Sequence, residues 1–501
     1  MRQAAATTPL RPIPLAVLAH GRPFAVAVPP DGFASPEALE AVLRRANEDL
    51  ATLVPKARFF VAGESGHDIH QDQPELVTEA IRQVVAGVRD PDTWYDLVSC
   101  CTGASTTSAP GPTARSSALK PIDPAALQAT VDAAARGMMV PGAMVLLRTP
   151  QGEVIVGVGT TELGATIPPR ADTYFRIASN TKTMTAAVIL QLAQENKLRL
   201  SDPVARYVPG VPNSDTITIA ELLEMRSGLY NFSNAPEFAA AIDRDPARVW
   251  NRADVLAIAF ARPPNFPPGT EFEYSNTNYE LLGDAAGQLD GQPLARAMQA
   301  RLFGPLGLRR TLLPARSVNT IPEPYAHGYM YGSALHFLVD EPYSPVVQAA
   351  ARAGTLLPTD YTNLNYSRGE AAGGAISTAG DLATWIEALV SGRVLNAASQ
   401  RRWLDSLQPE DPRHPGGQQY GYGISQLRWA SNAVYFHGGE TGGYNSFMGH
   451  DPINQVTLVV WTNLTLSLDG HTTANALLLE VLNQIYTVSP RVPSSSPPAT
   501  P

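Results

Sequence analysis

The sequence predicts an α+β fold in which helices pack on an antiparallel sheet, and three stretches carry that prediction. AMVLLRTPQGEVIVGVG (143–159) sets two apolar runs on either side of Pro150, Gln151 and Gly152, the pattern of a hairpin. FMGHDPINQVTLVVWTN (447–463) repeats the pattern near the other end, and ANALLLEVLNQIY (474–486) reads as a closing amphipathic helix. Strands at both ends of a helix-rich centre imply one sheet assembled from the two ends of this region, with helices laid on it. DPAALQATVDAAARG (123–137) reads as the helix that leads into the first hairpin.

A smaller unit precedes that region. PLAVLAH (14–20) and ARFFVAG (57–63) read as short strands, each followed by a helix. Ser35 caps the first helix with Pro36 at its opening position, and Leu39, Val42, Leu43, Ala46 and Leu50 share a face. Leu76, Val77, Ile81, Val84 and Val88 do the same in the second. This segment, 1–100, resembles the last third of an α/β-hydrolase, with His67 in the Gly-His context that follows the final strand of such proteins. No Gly-x-Ser-x-Gly elbow occurs anywhere in the chain, so His67 has no nucleophile to serve and a structural or docking segment is expected. Residues 101–119, rich in Ser, Thr, Pro and Gly, read as a linker, 120–488 as the main domain and 489–501 as a disordered tail.

Composition narrows the function. The 501-residue chain is 44% apolar and 17% charged, which suits a globular protein, and its net charge of -9 supplies no basic stripe for nucleic acid. No apolar run approaches the ~20 residues of a membrane span. The start holds only the short run PLAVLA, a better strand than signal peptide, so a cytoplasmic location is expected as the sequence stands. Cys100 and Cys101 are neighbours, with neither metal spacing nor the reach to staple the fold. No His-Glu-x-x-His or comparable ligand spacing occurs, so no metal or cofactor is expected.

Chemistry concentrates in three short motifs. In FRIASNTKTMTA (175–186), Ser179 is followed three residues later by Lys182 at a helix start, which puts both side chains on one face a turn apart. A serine hydroxyl needs a base beside it, and a desolvated ammonium at such a position loses its proton more readily. The helix start also offers the Ser179 N–H to an oxyanion. Tyr274-Ser275-Asn276, in a loop behind the Pro268-Gly269 turn, sets a phenol and a carboxamide two residues apart. Such a phenol carries protons when a nearby cation lowers its pKa, and the carboxamide can hold a substrate amide. YFHGGETGG (435–443) places His437 among glycines at a strand edge, where substrate can lie close. Each motif has a decoy: Ser117 with Lys120, Tyr361-Thr362-Asn363, and His414-Pro415-Gly416. The decoys fall in the linker and in polar loops, whereas Ser179, Tyr274 and His437 fall in differently structured segments.

From about residue 120 to 488 the chain resembles the serine β-lactamase-related hydrolases, in the branch of class C β-lactamases and D-alanyl-D-alanine carboxypeptidases. FRIASNTKTMTA, LLEMRSGLYNF, FPPGTEFEYSNTNYELLG, LFGPLGLRRT, GGAISTAGDLATWIEALVSGRVL and YFHGGETGGYNS carry the resemblance, in order, across the whole domain. It implies an antiparallel sheet flanked by helices plus a helical subdomain, with the small α/β segment in front. It also implies that Ser179 is acylated, that Lys182 and Tyr274 move the proton to the leaving group and then activate water, and that Asn276 positions the acyl-side amide. By the same resemblance His437, Gly438 and Gly439 line the substrate, His437 lies on the edge strand beside the cleft, and the N–H groups of Ser179 and Glu440 form the oxyanion hole. A small-molecule or peptide substrate is implied, with β-lactams as acylating ligands. Members of the family are often exported.

Two departures bear on the substrate. Carboxypeptidases of this type commonly carry threonine where this chain has Gly438, and an arginine on the preceding strand where it has Ile424, Ser425 and Gln426, the nearest arginine being Arg428. Glu440 follows the motif and repels a carboxylate. A D-alanyl-D-alanine carboxypeptidase-like hydrolase remains the leading expectation. An esterase or D-amino-acid amidase with the same machinery is the alternative, and a non-catalytic binder of β-lactam or peptidoglycan a further one.

Overall fold

The computed structural model describes residues 119–334, 342–430 and 432–488 throughout, and before them 15–20, 58–62 and isolated positions between 42 and 84. The chain divides into two compact units, Met1–Ser116 and Ser117–Pro501. In the first, β1 (Ala16–His20) and β2 (Arg58–Ala62) pair in parallel with Ala16 opposite Arg58. The buried positions around the second helix include Ala80 and Gln83, whereas Ile81 is 59% exposed, because it lies a further 100° round the helix from Ala80. Val42, expected on the inner face of the first helix, is likewise exposed. Ser35, Pro36, His67, both cysteines, the linker up to Ala118 and the tail fall outside the described residues.

The second unit is built on an eight-stranded antiparallel sheet. Its strands are β3 (Gly142–Thr149), β4 (Gly152–Gly159), β5 (Gln408–Pro409), β6 (Gln419–Tyr420), β7 (Ser425–Trp429), β8 (Asn432–Thr441), β9 (Tyr444–Asp451) and β10 (Val456–Thr462). Their spatial order is β4-β3-β10-β9-β8-β7-β6-β5. The first hairpin thus joins the C-terminal strands through β3 and β10, with Val145 opposite Val460. Alternation along β3 feeds two cores: Ala143, Val145 and Leu147 enter one, Met144 and Leu146 the other. Helices therefore cover both faces.

On one face lie α1 (Pro124–Gly137) and α7 (Thr473–Ile485), through Leu127, Val131, Leu477 and Val481. Asp123 starts α1 by accepting from the N–H groups of Ala125 and Ala126 at 2.9 and 3.3 Å, a cap that contributes about 1 kcal/mol. On the other face lie α2 (Thr181–Gln194), α4 (Asn276–Asp290) and α6 (Ala379–Val390). α2 is buried at every position from Thr181 to Leu190, as expected of a helix enclosed on all sides. A helical subdomain with α3 (Arg252–Phe260) has its own core around Phe232, Phe238, Trp250 and Leu364. A single helical turn, α5 (Glu370–Gly373), leads back toward α2.

β8 is an interior strand, not the edge strand expected for His437. β7 covers it only as far as Phe436, which faces Ser425, and the stretch from His437 to Thr441 continues against β9 alone. The second half of an interior strand so acquires an open side.

Candidate active site

The polypeptide enters α2 through a short 3₁₀ turn, Ala178–Asn180. Ala178 sits at φ +46°, a left-handed conformation that costs an alanine about 1–2 kcal/mol. Its surroundings enforce it: Ile177 N–H donates to Ala375 O, Asn180 N–H to Ile177 O, and Thr181 Oγ1 to Ala178 O. The strained turn leaves Ser179 half-exposed among fully buried neighbours.

Lys182 is fully buried, and its Nζ makes three hydrogen bonds: 2.9 Å to Ser179 Oγ, 2.7 Å to Asn276 Oδ1 and 2.9 Å to Ala372 O. Burial holds its pKa well below that of an ordinary lysine, opposed by the negative charge of Glu280. A neutral amine has two protons and one lone pair. Asn276 Oδ1 and Ala372 O accept only, so they take both protons, and the lone pair is left for Ser179.

Ser275 is extended, at φ −138° and ψ 118°, so Tyr274 and Asn276 project to the same side just as α4 begins. Asn276 Nδ2 donates to Ser233 Oγ at 2.9 Å, and its backbone N–H to Asn231 Oδ1 at 3.1 Å, which fixes the carboxamide with its oxygen on Lys182. Tyr274 hydrogen-bonds Ser179. Its pKa is displaced in the opposite direction to the one the sequence suggested. Burial first, then the charges of Glu440 and Glu410, hold the phenol well above its ordinary range. Lys182, whose own pKa burial depresses, lies over the ring, with Nζ 4.8 Å from the centroid. Tyr274 is therefore a protonated donor.

On β8, the two-residue connection to β9 makes Thr441–Tyr444 a hydrogen-bonded pair, so residues 437, 439 and 441 turn their backbone groups onto β9. Residues 438 and 440 turn theirs to the opposite side, beyond the end of β7. Gly439 touches the Ser179 turn: a Cβ there would overlap the Ile177 carbonyl oxygen and come within 2.6 Å of Ser446 Oγ and 2.8 Å of Asn180 Nδ2. At Gly438 a Cβ meets only Ser446 O, at 3.7 Å.

His437 is neutral. Burial and then the Lys182 charge press its pKa down to about 3. Gly438 O can only accept, so His437 Nδ1 donates to it at 2.6 Å, and Nε2 accepts from Tyr420 OH at 3.2 Å. Of the two roles open to His437 from sequence, charge or hydrogen bonding, these contacts fit the second.

Ser179, Lys182, Tyr274, Asn276, His437, Gly438, Gly439 and Glu440 thus come from three segments gathered around the Ser179 turn, and the decoys do not join them. Tyr361 packs in the helical subdomain, His414 bonds Asp411 at the surface, and Ser117 falls outside the described residues. Arg428 is exposed, opposite Ala433. Sequence reasoning missed Tyr420, Ser233 and Ala372. Tyr420 sits in the Tyr-Gly-Tyr-Gly run, where glycine spacing was its only signal, and Ala372 contributes a carbonyl, which no side-chain motif reveals.

The chain aligns with Protein flp of Staphylococcus aureus (strain COL) at 35% identity over 151 residues, 29% of either chain. A candidate D-alanyl-D-alanine carboxypeptidase of Escherichia coli (strain K12) is 26% identical over 315 residues, 58% of this chain and 69% of that protein. Among solved structures, a D-amino acid amidase from Ochrobactrum anthropi SV3, complexed with L-phenylalanine amide, superposes with a TM-score of 0.61 at 27% identity, covering 72% of this chain and 98% of that one. The Beta-lactamase family model matches residues 128–483, and the chain belongs to that family of serine hydrolases.

Proposed function

We propose that this hydrolase cleaves amides or esters of D-amino acids that carry a free α-amino group, through an acyl-enzyme on Ser179. Lys182, as the neutral amine, takes the Ser179 proton as Oγ attacks the carbonyl. The N–H groups of Ser179 and Glu440 receive the oxyanion. Tyr274 gives its proton to the leaving nitrogen or oxygen, and the proton held by Lys182 restores the phenol. Water then attacks the ester, with Lys182 and Tyr274 as base and acid in turn. Neutral His437 keeps Gly438 and the strand beyond it in place. The observation that carries the acyl-enzyme reading is the 2.9 Å bond from buried Lys182 to half-exposed Ser179.

The preference for an α-amino group rests on charge. The Glu440 and Glu410 charges act on Tyr274, Arg428 is turned out to solvent, and Gly438 offers no hydroxyl to a carboxylate. Likeness to the D-amino acid amidase supports the same preference. The D-alanyl-D-alanine carboxypeptidase reading is second, favoured by the Escherichia coli relative. Either reading includes acylation of Ser179 by β-lactams, and the paired nucleophile and base speak against a mere binder. The test compares D-phenylalanine amide, a D-Ala-D-Ala peptide and p-nitrophenyl acetate in the natural protein and in Ser179→Ala. The amide and ester turn over and Ser179→Ala does neither. Peptide turnover exceeding that of the amide selects the carboxypeptidase reading, and turnover that survives Ser179→Ala overturns both.

A further inference from the structure

α4 carries a buried carboxylate that the proposed reaction leaves unused. Glu280 lies one turn after Asn276 on the same helix face and is 1% exposed. Its Oε1 accepts from the N–H groups of Ala371 and Ala372, both at 2.9 Å, and the carbonyl of that same Ala372 accepts from Lys182 Nζ at 2.9 Å. Burial raises the Glu280 pKa, and the Arg252 charge and the Ala372 N–H oppose that shift: Oε2 lies 3.5 Å from Arg252 Nε, and Arg252 also pairs with Asp284 at 2.6 Å and Glu370 at 3.1 Å. Arg316 closes the network on Glu370 at 3.2 Å. Around Lys182 itself stand the phenols of Tyr274 and Tyr279 and the imidazole of His437.

We infer that Glu280 is a positioning residue of the acylation step: it clamps the Ala371–Ala372 peptide so that the Ala372 carbonyl aims the Lys182 amine, and it keeps a negative charge behind that amine. The inference rests on reading Lys182 as the base. Two effects follow from the geometry. Without the clamp, a Lys182 N–H loses its acceptor and turns toward Ser179, so the lone pair no longer meets the Oγ proton. Without the charge, burial acts on Lys182 unopposed, and the amine becomes a weaker base that loses its proton at lower pH.

Two conservative variants of the full chain separate clamp from charge. Glu280→Gln keeps an acceptor oxygen for both N–H groups and removes the charge, and Arg252 keeps Asp284 and Glu370. Glu280→Asp keeps the charge but is one methylene short of the two N–H groups. The measurement is the pre-steady-state burst of p-nitrophenolate from p-nitrophenyl acetate across pH, with folding checked by circular dichroism. The burst rate rises with pH as Lys182 deprotonates. In Glu280→Gln this acid limb moves to lower pH and the plateau falls. In Glu280→Asp the limb stays and the plateau falls roughly ten- to hundredfold. Folded variants that superimpose on the natural protein in limb and plateau overturn the inference, and if Glu280→Gln does not fold, an unchanged plateau in Glu280→Asp does so alone. A burst that persists in Ser179→Ala overturns the acyl-enzyme reading instead, which keeps the two failures apart.

Discussion

Two adjacent glycines on β8 give opposite expectations. In Gly439→Ala the new methyl overlaps the Ile177 carbonyl oxygen and comes within 2.6 Å of Ser446 Oγ. The Ile177 carbonyl precedes the strained Ala178 and also accepts from the Asn180 N–H, so it has little freedom to withdraw. β8 must move instead. Overpacking of this kind costs about 1–3 kcal/mol, which lowers Tm by a few °C. The displacement also carries the Glu440 N–H away from Ser179, and loss of one oxyanion donor costs about 10²–10³ in kcat. In Gly438→Ala the methyl meets only Ser446 O at 3.7 Å, so stability and turnover stay close to those of the natural protein. The assay is kcat and KM on p-nitrophenyl acetate with thermal melts of both variants. A Gly439→Ala protein of unchanged kcat and Tm, or a Gly438→Ala protein just as damaged, refutes the placement of β8 against the nucleophile turn.

Other expectations follow from the same site. Lys182→Ala removes the base and lowers the burst rate by about 10²–10⁴, read by stopped flow. Glu440→Gln keeps the backbone N–H but removes the charge, so KM for D-phenylalanine amide rises while that for neutral p-nitrophenyl acetate does not. Gly438→Thr is accommodated and raises turnover of a D-Ala-D-Ala peptide relative to the amide, which parallel assays measure. His437 has a pKa depressed to about 3 when folded, so the stability it confers is present above pH 6.5 and is lost as the pH falls toward 3. Between pH 7 and pH 5 that loss is about 2 kcal/mol, and urea titrations of His437→Gln should lack it.

Much of this architecture is legible in the sequence. The hairpins 143–159 and 447–463 show as apolar runs broken by turn residues, and β3 and β10 join as their positions at the two ends suggest. Ser179 and Lys182 were readable because three residues at a helix start fix their separation, and Tyr274 and Asn276 because an extended Ser275 projects both to one side. What escaped depends on contacts between distant segments. The pKa of Tyr274 is set by burial and by Glu440 and Glu410, far away in sequence, so a local motif gave the opposite direction. The open half of β8 arises because β7 stops at Ser425, a matter of register rather than residue type. Ala372 serves through its carbonyl and Glu280 through backbone N–H groups. Ile81 and Val42 read as inward-facing from local periodicity and are exposed, because the partners that decide burial lie outside each helix.

The central claim is that Ser179 carries the acyl group. Intact-protein mass spectrometry after a quench during turnover of p-nitrophenyl acetate tests it directly. One added acetyl group, mapped by peptide digestion to Ser179 and absent from Ser179→Ala, is the predicted result. An adduct on another residue, or turnover with no adduct and undiminished in Ser179→Ala, contradicts the account.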